Sequence, residues 1–214
     1  MKQAEYDLYF VADPDSAGTR SIERIVERAI SGGATIVQLR EKSGSTKGMI
    51  ERAKRLRAIT RKARIPLLIN DRIDVALAAE ADGVHVGQDD MPAVLARKMI
   101  GPKKILGVSA KTVAEARQAE KDGADYVGVG DIFGTRSKAD AGKPIGLDMM
   151  RRIARAVSIP VVGIGAVSVE NAAQVIAAGA DGIAVISAIV RALNPAIAAR
   201  ELRGIVGASL KARK

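Results

Sequence analysis

A chain of 214 residues, 48% of them hydrophobic, is long enough to bury one substantial core, and it reads as a single domain over 1–214 with a short basic tail at 211–214. It has no Cys and one His, which excludes disulfides, thiolate metal sites and a histidine-rich zinc site; a metal would have to sit on oxygen, which favours Mg²⁺. The formal charge of +10 suits an anionic partner or simple solubility, but three Tyr, two Phe and no Trp leave few stacking platforms for nucleic acid. No zinc-finger or RNP-like pattern occurs, and most Lys and Arg fall on helix surfaces, as in Glu51-Arg-Ala-Lys-Arg-Leu-Arg57, so no nucleic-acid partner is expected. No run reaches the roughly 18 apolar residues of a membrane span, and residues 1–6 lack the apolar centre of a signal peptide. A cytoplasmic protein with no membrane partner is the expectation.

Taken in chain order, short apolar runs at 8–11, 36–39, 67–69, 84–86, 105–108, 126–129, 161–164 and 183–186 read as eight strands. Segments of helical period separate them, at 22–30, 49–59, 75–79, 94–99, 114–119, 149–156, 172–178 and 197–206. Ser21 and Ser168 are candidate caps, Pro92 suits a first turn, and Pro195 follows a capping Asn194. Four linkers resemble one another: Gly33-Ala-Thr-Ile, Ala81-Asp-Gly-Val, Gly123-Ala-Asp-Tyr and Gly179-Ala-Asp-Gly each end a helix and turn directly into a strand. Eight buried, non-alternating strands, each followed by a helix, predict a parallel sheet closed into a (β/α)₈ TIM barrel of the α/β class. A doubly wound open sheet would carry a Gly-rich turn after its first strand, where this chain has Ala12-Asp-Pro-Asp15.

In such a barrel function sits at the carboxyl ends of the strands. Reading only those ends collects Gln38, Arg40 and Lys42 after the second strand, Asn70 and Asp71 after the third, and Gln88, Asp89 and Asp90 after the fourth. Ser109 follows the fifth, 131–138 the sixth, 163–167 the seventh and Ser187 the eighth. Strand alternation points Gln38, Arg40 and Lys42 the same way, while Leu39 and Glu41 point the other. Arg40, Lys42 and Lys138 bring cations from different loops, as a diphosphate requires. Asp71 and Asp90 come from neighbouring strand ends; they can share a hard cation, or each can cap the helix it precedes. Asp89 and Asp131 are weaker candidates. The segments Gly163-Ile-Gly-Ala-Val167 and Val185-Ile-Ser-Ala-Ile189 occupy the usual place for a phosphate monoester met by backbone N–H groups. His85, between two Val, reads as core and receives no catalytic role. Two anion sites and few acid–base groups suit the departure of a charged leaving group.

The ordered series Gln38-Leu-Arg-Glu-Lys42, Asn70-Asp71, His85-Val-Gly-Gln-Asp-Asp90, Val108-Ser109, Ile132-Phe133, Thr135-Arg-Ser-Lys138, Gly163-Ile-Gly165 and Ile186-Ser187 resembles the motifs of the thiamine phosphate synthases. The resemblance spans nearly the whole chain. It implies a transferase of thiamine biosynthesis that joins 4-amino-2-methyl-5-hydroxymethylpyrimidine diphosphate to 4-methyl-5-(2-phosphooxyethyl)thiazole, or its carboxylated form, releasing pyrophosphate. Carried over, Gln38, Arg40, Lys42, Asn70, Ser109 and Lys138 hold the pyrimidine diphosphate, and Asp71 and Asp90 hold Mg²⁺. Thr135, Ser137, Ile186 and Ser187, with the backbone at Gly165 and Ala166, meet the thiazole phosphate. Arg40, Lys42, Ser109 and Lys138 are then the catalytic set, and the implied mechanism is dissociative.

The chain departs from the family's usual pattern at three places. Gly130-Asp-Ile-Phe-Gly-Thr135 stands for Gly-Pro-Ile-Phe-Pro-Thr, Ser137 for a Thr, and Ala166 for a second Gly. Because Gly163 and Gly165 are retained, the expectation is that Ala166 has an ordinary negative φ and still offers its N–H to the phosphate. A tautomerase-like isomerase on the same barrel is the rival reading; the resemblance puts a His there at the position of Asp131.

Overall fold

In the computed structural model, residues 5–134 and 143–213 are described. Among these residues eight strands form, β1 (Leu8–Ala12), β2 (Ile36–Leu39), β3 (Leu67–Asn70), β4 (Gly83–Val86), β5 (Ile105–Ala110), β6 (Tyr126–Val129), β7 (Val161–Ile164) and β8 (Gly182–Val185). Each pairs in parallel with the next, and β8 returns to β1 through Leu8↔Ile183, Tyr9↔Ala184 and Phe10↔Val185, closing the barrel. The runs lack polar alternation because both faces of a closed parallel sheet are covered; β1, β2 and β8 are buried at every position. The expected eight strands and the (β/α)₈ class are those observed.

The helices are α1 (Pro14–Ala17), α2 (Ile22–Ser31), α3 (Thr46–Ala63), α4 (Ile73–Ala78), α5 (Ala93–Ile100), α6 (Val113–Lys121), α7 (Gly146–Ala154), α8 (Ala172–Ala177), α9 (Ser187–Val190) and α10 (Pro195–Ala212). On α2 the buried residues Ile22, Ile25, Val26 and Ala29 fall at helical spacing, so one stripe faces the barrel, each large side chain contributing about 1.5–3 kcal/mol. Ser21 caps α2 by accepting from the Arg24 N–H, and Asn194 caps α10 ahead of Pro195. Ser168 is not a cap. Helix α8 begins after Asn171, whose Oδ1 accepts the Ser168 N–H at 2.9 Å, so the chain makes an Asx-like turn before it enters the helix. Two four-residue helices, α1 and α9, lie on the carboxyl side of β1 and β8, where no helical period could have revealed them. None of the described helices is long and apolar enough to cross a membrane.

The resembling linkers share one device at the amino-terminal rim. Asp82, Asp125 and Asp181 each accept an N–H from the start of the preceding strand, the first residue Leu67 at 2.8 Å, the second residue Leu106 at 2.7 Å and the first residue Val161 at 2.9 Å. Each is also paired with an arginine, Arg57, Arg97 and Arg213 respectively. Thr35 performs the same service for Leu8 through its hydroxyl. These contacts satisfy strand N–H groups that the ladder leaves open at the barrel's floor.

Candidate active site

A cavity of about 470 Å³ opens at the carboxyl ends of the strands, with Lys42, Asp90, Ser109, Asp131, Ala166 and Ser187 on its walls. A second hollow of about 590 Å³ lies outside the barrel near Arg20, Arg24 and Leu193. No strand end reaches that second hollow, so the chemistry belongs at the barrel mouth.

The end of β2 delivers three side chains to the mouth, as its alternation predicts. Gln38, buried, donates through Nε2 to the Tyr9 hydroxyl at 2.7 Å. Arg40 Nη1 lies 2.6 Å from Asp13 Oδ2, and Lys42 Nζ 2.6 Å from Asp71 Oδ2. Leu39 is buried, and Glu41 turns away to pair with Arg52 on α3. Asp13 is a site residue that the sequence reading missed. It is 2% exposed, caps α1 through Oδ1 to the Ser16 N–H at 2.8 Å, and neutralises the nearly buried Arg40. An Asp-Pro turn signal was its only mark in sequence.

Asp71 and Asp90 are brought together, and neither caps a helix. The capping position of α4 is Arg72 and that of α5 is Pro92, with no side-chain cap at either. Asp71 instead holds the left-handed conformation, φ 62°, with its N–H donated to the His85 carbonyl at 2.8 Å. Asp90 accepts the Gly87 N–H through Oδ2 at 2.8 Å. Burial, and then the neighbouring Asp90 carboxyl, push the Asp71 carboxyl above the usual range, while Asp71 raises Lys42. Two carboxylates crowded against one ammonium make an oxygen site that favours added positive charge. Among the described residues no group of three or more Asp, Glu or His could hold an ion. Two adjacent carboxylates are a donor set of the kind Mg²⁺ takes, since that ion binds one or two carboxylates and draws its other ligands from phosphate and water.

Asn70 lies half-buried at the end of β3, and Ser109 lines the cavity from β5. Ser109 accepts or donates at His85 Nε2, 2.9 Å away, and Gln88 Nε2 donates to its carbonyl. Lys111 also borders the cavity and was not among the sequence candidates. Thr135, Ser137 and Lys138 lie outside the described residues.

On the opposite wall, Gly165, Ala166, Ile186 and Ser187 meet. Gly165 has φ 111°, and a Cβ there would fall 1.8 Å from Asp131 Oδ1, so only glycine fits. Asp131 is buried and accepts the Gly134 N–H at 3.1 Å. Ala166 overturns the expectation of a negative φ: it sits at 49°. Its carbonyl accepts from Asn171 Nδ2 at 3.0 Å, and Asn171 also holds Ser168, so the turn into α8 imposes the left-handed backbone on whatever residue stands there. The Ala166 N–H has no partner among the described residues and borders the cavity. The Ser187 and Ala188 N–H groups opening α9 are likewise unused.

A closed parallel barrel whose carboxyl-end mouth carries cations and a carboxylate pair on one wall and unused N–H groups on the other defines a phosphate-handling (β/α)₈ enzyme. The family model of thiamine monophosphate synthase matches residues 8–189, and the chain belongs to that family. A thiamine-phosphate synthase from Chloroflexus aurantiacus is 57% identical over 94% of this chain and 93% of that protein. Another, from Moorella thermoacetica, is 55% identical over 94% and 96%. The solved thiamine phosphate pyrophosphorylase from Pyrococcus furiosus superposes with a TM-score of 0.89 at 42% identity, covering 97% of this chain and 98% of that one.

Proposed function

We propose that this chain is a thiamine-phosphate synthase that joins the pyrimidine diphosphate to the thiazole phosphate and releases pyrophosphate. The observation that carries the reading is one cavity with charged side chains toward one wall and unused backbone N–H groups toward the other. Asp71, Asp90, Lys42 and Arg40 lie toward one wall, and the Ala166 and Ser187 backbone N–H groups toward the other. Relatives 55–57% identical bear the synthase name, which favours it over the tautomerase-like alternative, as does Asp131 where a His would stand.

In this reading Gln38, Asn70 and Ser109 hold the pyrimidine, and Arg40, Lys42 and Lys138 hold its diphosphate. Mg²⁺ bound by Asp71 and Asp90 would neutralise charge on the leaving diphosphate. The bond from the pyrimidine methylene carbon to the diphosphate oxygen breaks first, its electron pair leaving with the oxygen, where Arg40, Lys42 and Lys138 receive the charge. Thr135, Ser137, Ile186 and Ser187, with the N–H groups of the Gly165–Ala166 turn, hold the thiazole phosphate so that the ring nitrogen faces the carbon it captures. No general base is needed, because a lone pair makes the new C–N bond. Ile164, Val167, Val185 and Ile186 line the cavity and keep water from the carbocation. The same reading has no nucleic-acid partner; in its support all three tyrosines are buried, which leaves none as a stacking platform.

The test is to incubate the protein with both substrates and Mg²⁺ and to measure thiamine phosphate and pyrophosphate together. Equal amounts of the two are expected. Thiazole isomerisation without pyrophosphate release would replace this reading with the tautomerase.

A further inference from the structure

Inside the barrel, below the mouth, a continuous hydrogen-bonded chain runs from Gln38 to Ser109. Gln38 Nε2 is 2.7 Å from the Tyr9 hydroxyl, which is 2.8 Å from the Tyr126 hydroxyl. The Tyr126 hydroxyl is 2.8 Å from His85 Nδ1, and His85 Nε2 is 2.9 Å from Ser109 Oγ. We infer that this chain runs in one direction, fixing Gln38 as an acceptor and Ser109 as a donor toward the pyrimidine, so that Tyr9, Tyr126 and His85 are positioning residues for the reaction. The inference rests on the proposed function for the identity of the ligand, but not for the direction of the chain.

The direction follows from counting protons. An amide nitrogen only donates, so Tyr9 receives from Gln38 and must give its single proton to Tyr126. Tyr126 must then give its own to His85 Nδ1. A neutral imidazole with Nδ1 accepting carries its proton on Nε2, which donates to Ser109. The Ser109 O–H is left to point into the cavity that Ser109 lines, and the amide oxygen of Gln38 is left as an acceptor. Burial pushes the Tyr9 and Tyr126 hydroxyls above their ordinary range, so each keeps the one proton this count assigns it.

The chain is built into the barrel rather than incidental to it. A Cβ on Gly107 would lie 2.2 Å from Tyr126 Cζ, and one on Gly128 2.9 Å from His85 Cε1, so two strand positions go without side chains to admit these rings. The Tyr126 ring is held between Tyr6 and Tyr9, at centroid distances of 4.9 and 5.7 Å. A buried polar chain of this kind is stable only when every member is satisfied, and a break anywhere disturbs both ends. Reversing the Gln38 amide would reverse every proton, placing the histidine proton on Nδ1 and leaving Ser109 only lone pairs to offer. The two directions therefore present opposite patterns to an aminopyrimidine, whose amino group donates and whose ring nitrogens accept.

His85 is the only histidine in the chain, so ¹⁵N-histidine labelling gives one pair of ring nitrogens to read. The wild-type protein should show the Nε2–H tautomer; the Nδ1–H tautomer would overturn the direction. Tyr126→Phe should mix the tautomers and raise KM for the pyrimidine diphosphate about tenfold, the loss of one well-made hydrogen bond, with KM for the thiazole phosphate unchanged. An unchanged pyrimidine KM beside mixed tautomers would overturn the positioning role. If Tyr126→Phe does not fold, Tyr9→Phe cuts the chain one bond earlier and should give the same mixed tautomers and the same KM split. A wild-type protein that shows the Nε2–H tautomer but makes no thiamine phosphate would refute the proposed function and the positioning role, and leave the direction intact.

Discussion

At the amino end of the barrel, Asp82, Asp125 and Asp181 do one job three times, each tying down an N–H in the first two residues of a strand and pairing with an arginine. At the carboxyl end, four aspartates do four jobs. Asp13 neutralises a nearly buried arginine, Asp71 crowds a second carboxylate, Asp90 ties a turn, and Asp131 stands against a glycine that admits no Cβ. The same side chain is stabilising and interchangeable on the floor, but individually placed and partly unfavourable at the mouth. Among the described residues, two of the four non-glycine positions with positive φ, Asp71 and Ala166, also lie at the mouth; the other two, Arg64 and Glu80, follow helix ends. Strain and uncompensated charge collect where ligands would supply the missing interactions.

The largest expected effect comes from Asp13→Ala. It strands Arg40 in a buried position and should cost about 3–5 kcal/mol in denaturant unfolding. Replacing Arg40 as well, in Asp13→Ala/Arg40→Met, should restore much of that stability without restoring turnover. Full stability loss in the double variant would mean that the pair packs the mouth rather than balancing charge. On the floor, Asp125→Ala removes a backbone acceptor and a half-exposed ion pair, and should cost about 1–3 kcal/mol while kcat of the folded protein is kept. A fall in kcat there would erase the division between the two rims.

Ala166→Gly should stabilise the protein by about 1 kcal/mol, because relief of a left-handed alanine outweighs the extra freedom of glycine in the unfolded chain. A loss of stability would show that the turn is not strained. The smallest effect concerns Asp71, whose carboxyl titrates above its unfolded value, so the folded state binds that proton more tightly. Without Mg²⁺, wild-type stability should therefore fall relative to Asp71→Asn as pH rises from the ordinary carboxylate range through the raised value, and the two should converge at lower pH. Melting curves against pH measure it, and parallel curves at all pH values would contradict it.

The fold was legible because short apolar runs rich in Val, Ile and Leu alternate with segments of helical period, and because the recurring Gly- or Ala-led linkers end a helix and turn directly into a strand. The mouth was half legible. Strand alternation located Gln38, Arg40 and Lys42, and strand ends located Asp71, Asp90, Ser109 and Ser187. Asp13 escaped because its partner Arg40 is 27 residues away and nothing local announces the pairing. The polar chain escaped because Tyr9, Tyr126 and His85 sit in apolar runs, each reading as core until the barrel brings the strands together. Ala166 was misjudged because its backbone is set by Asn171, a side chain five residues on, and not by its glycine neighbours.

The most direct measurement is the rate of thiamine phosphate formation against Mg²⁺ concentration, for wild type and Asp90→Asn, with the melting temperature of each. The account predicts a wild-type rate that rises with Mg²⁺ and saturates, and an Asp90→Asn rate lower by about 10²-fold or more at a nearly unchanged melting temperature. An Asp90→Asn protein that keeps the wild-type rate and Mg²⁺ response would contradict it, and would reduce the carboxylate pair at the barrel mouth to loop structure.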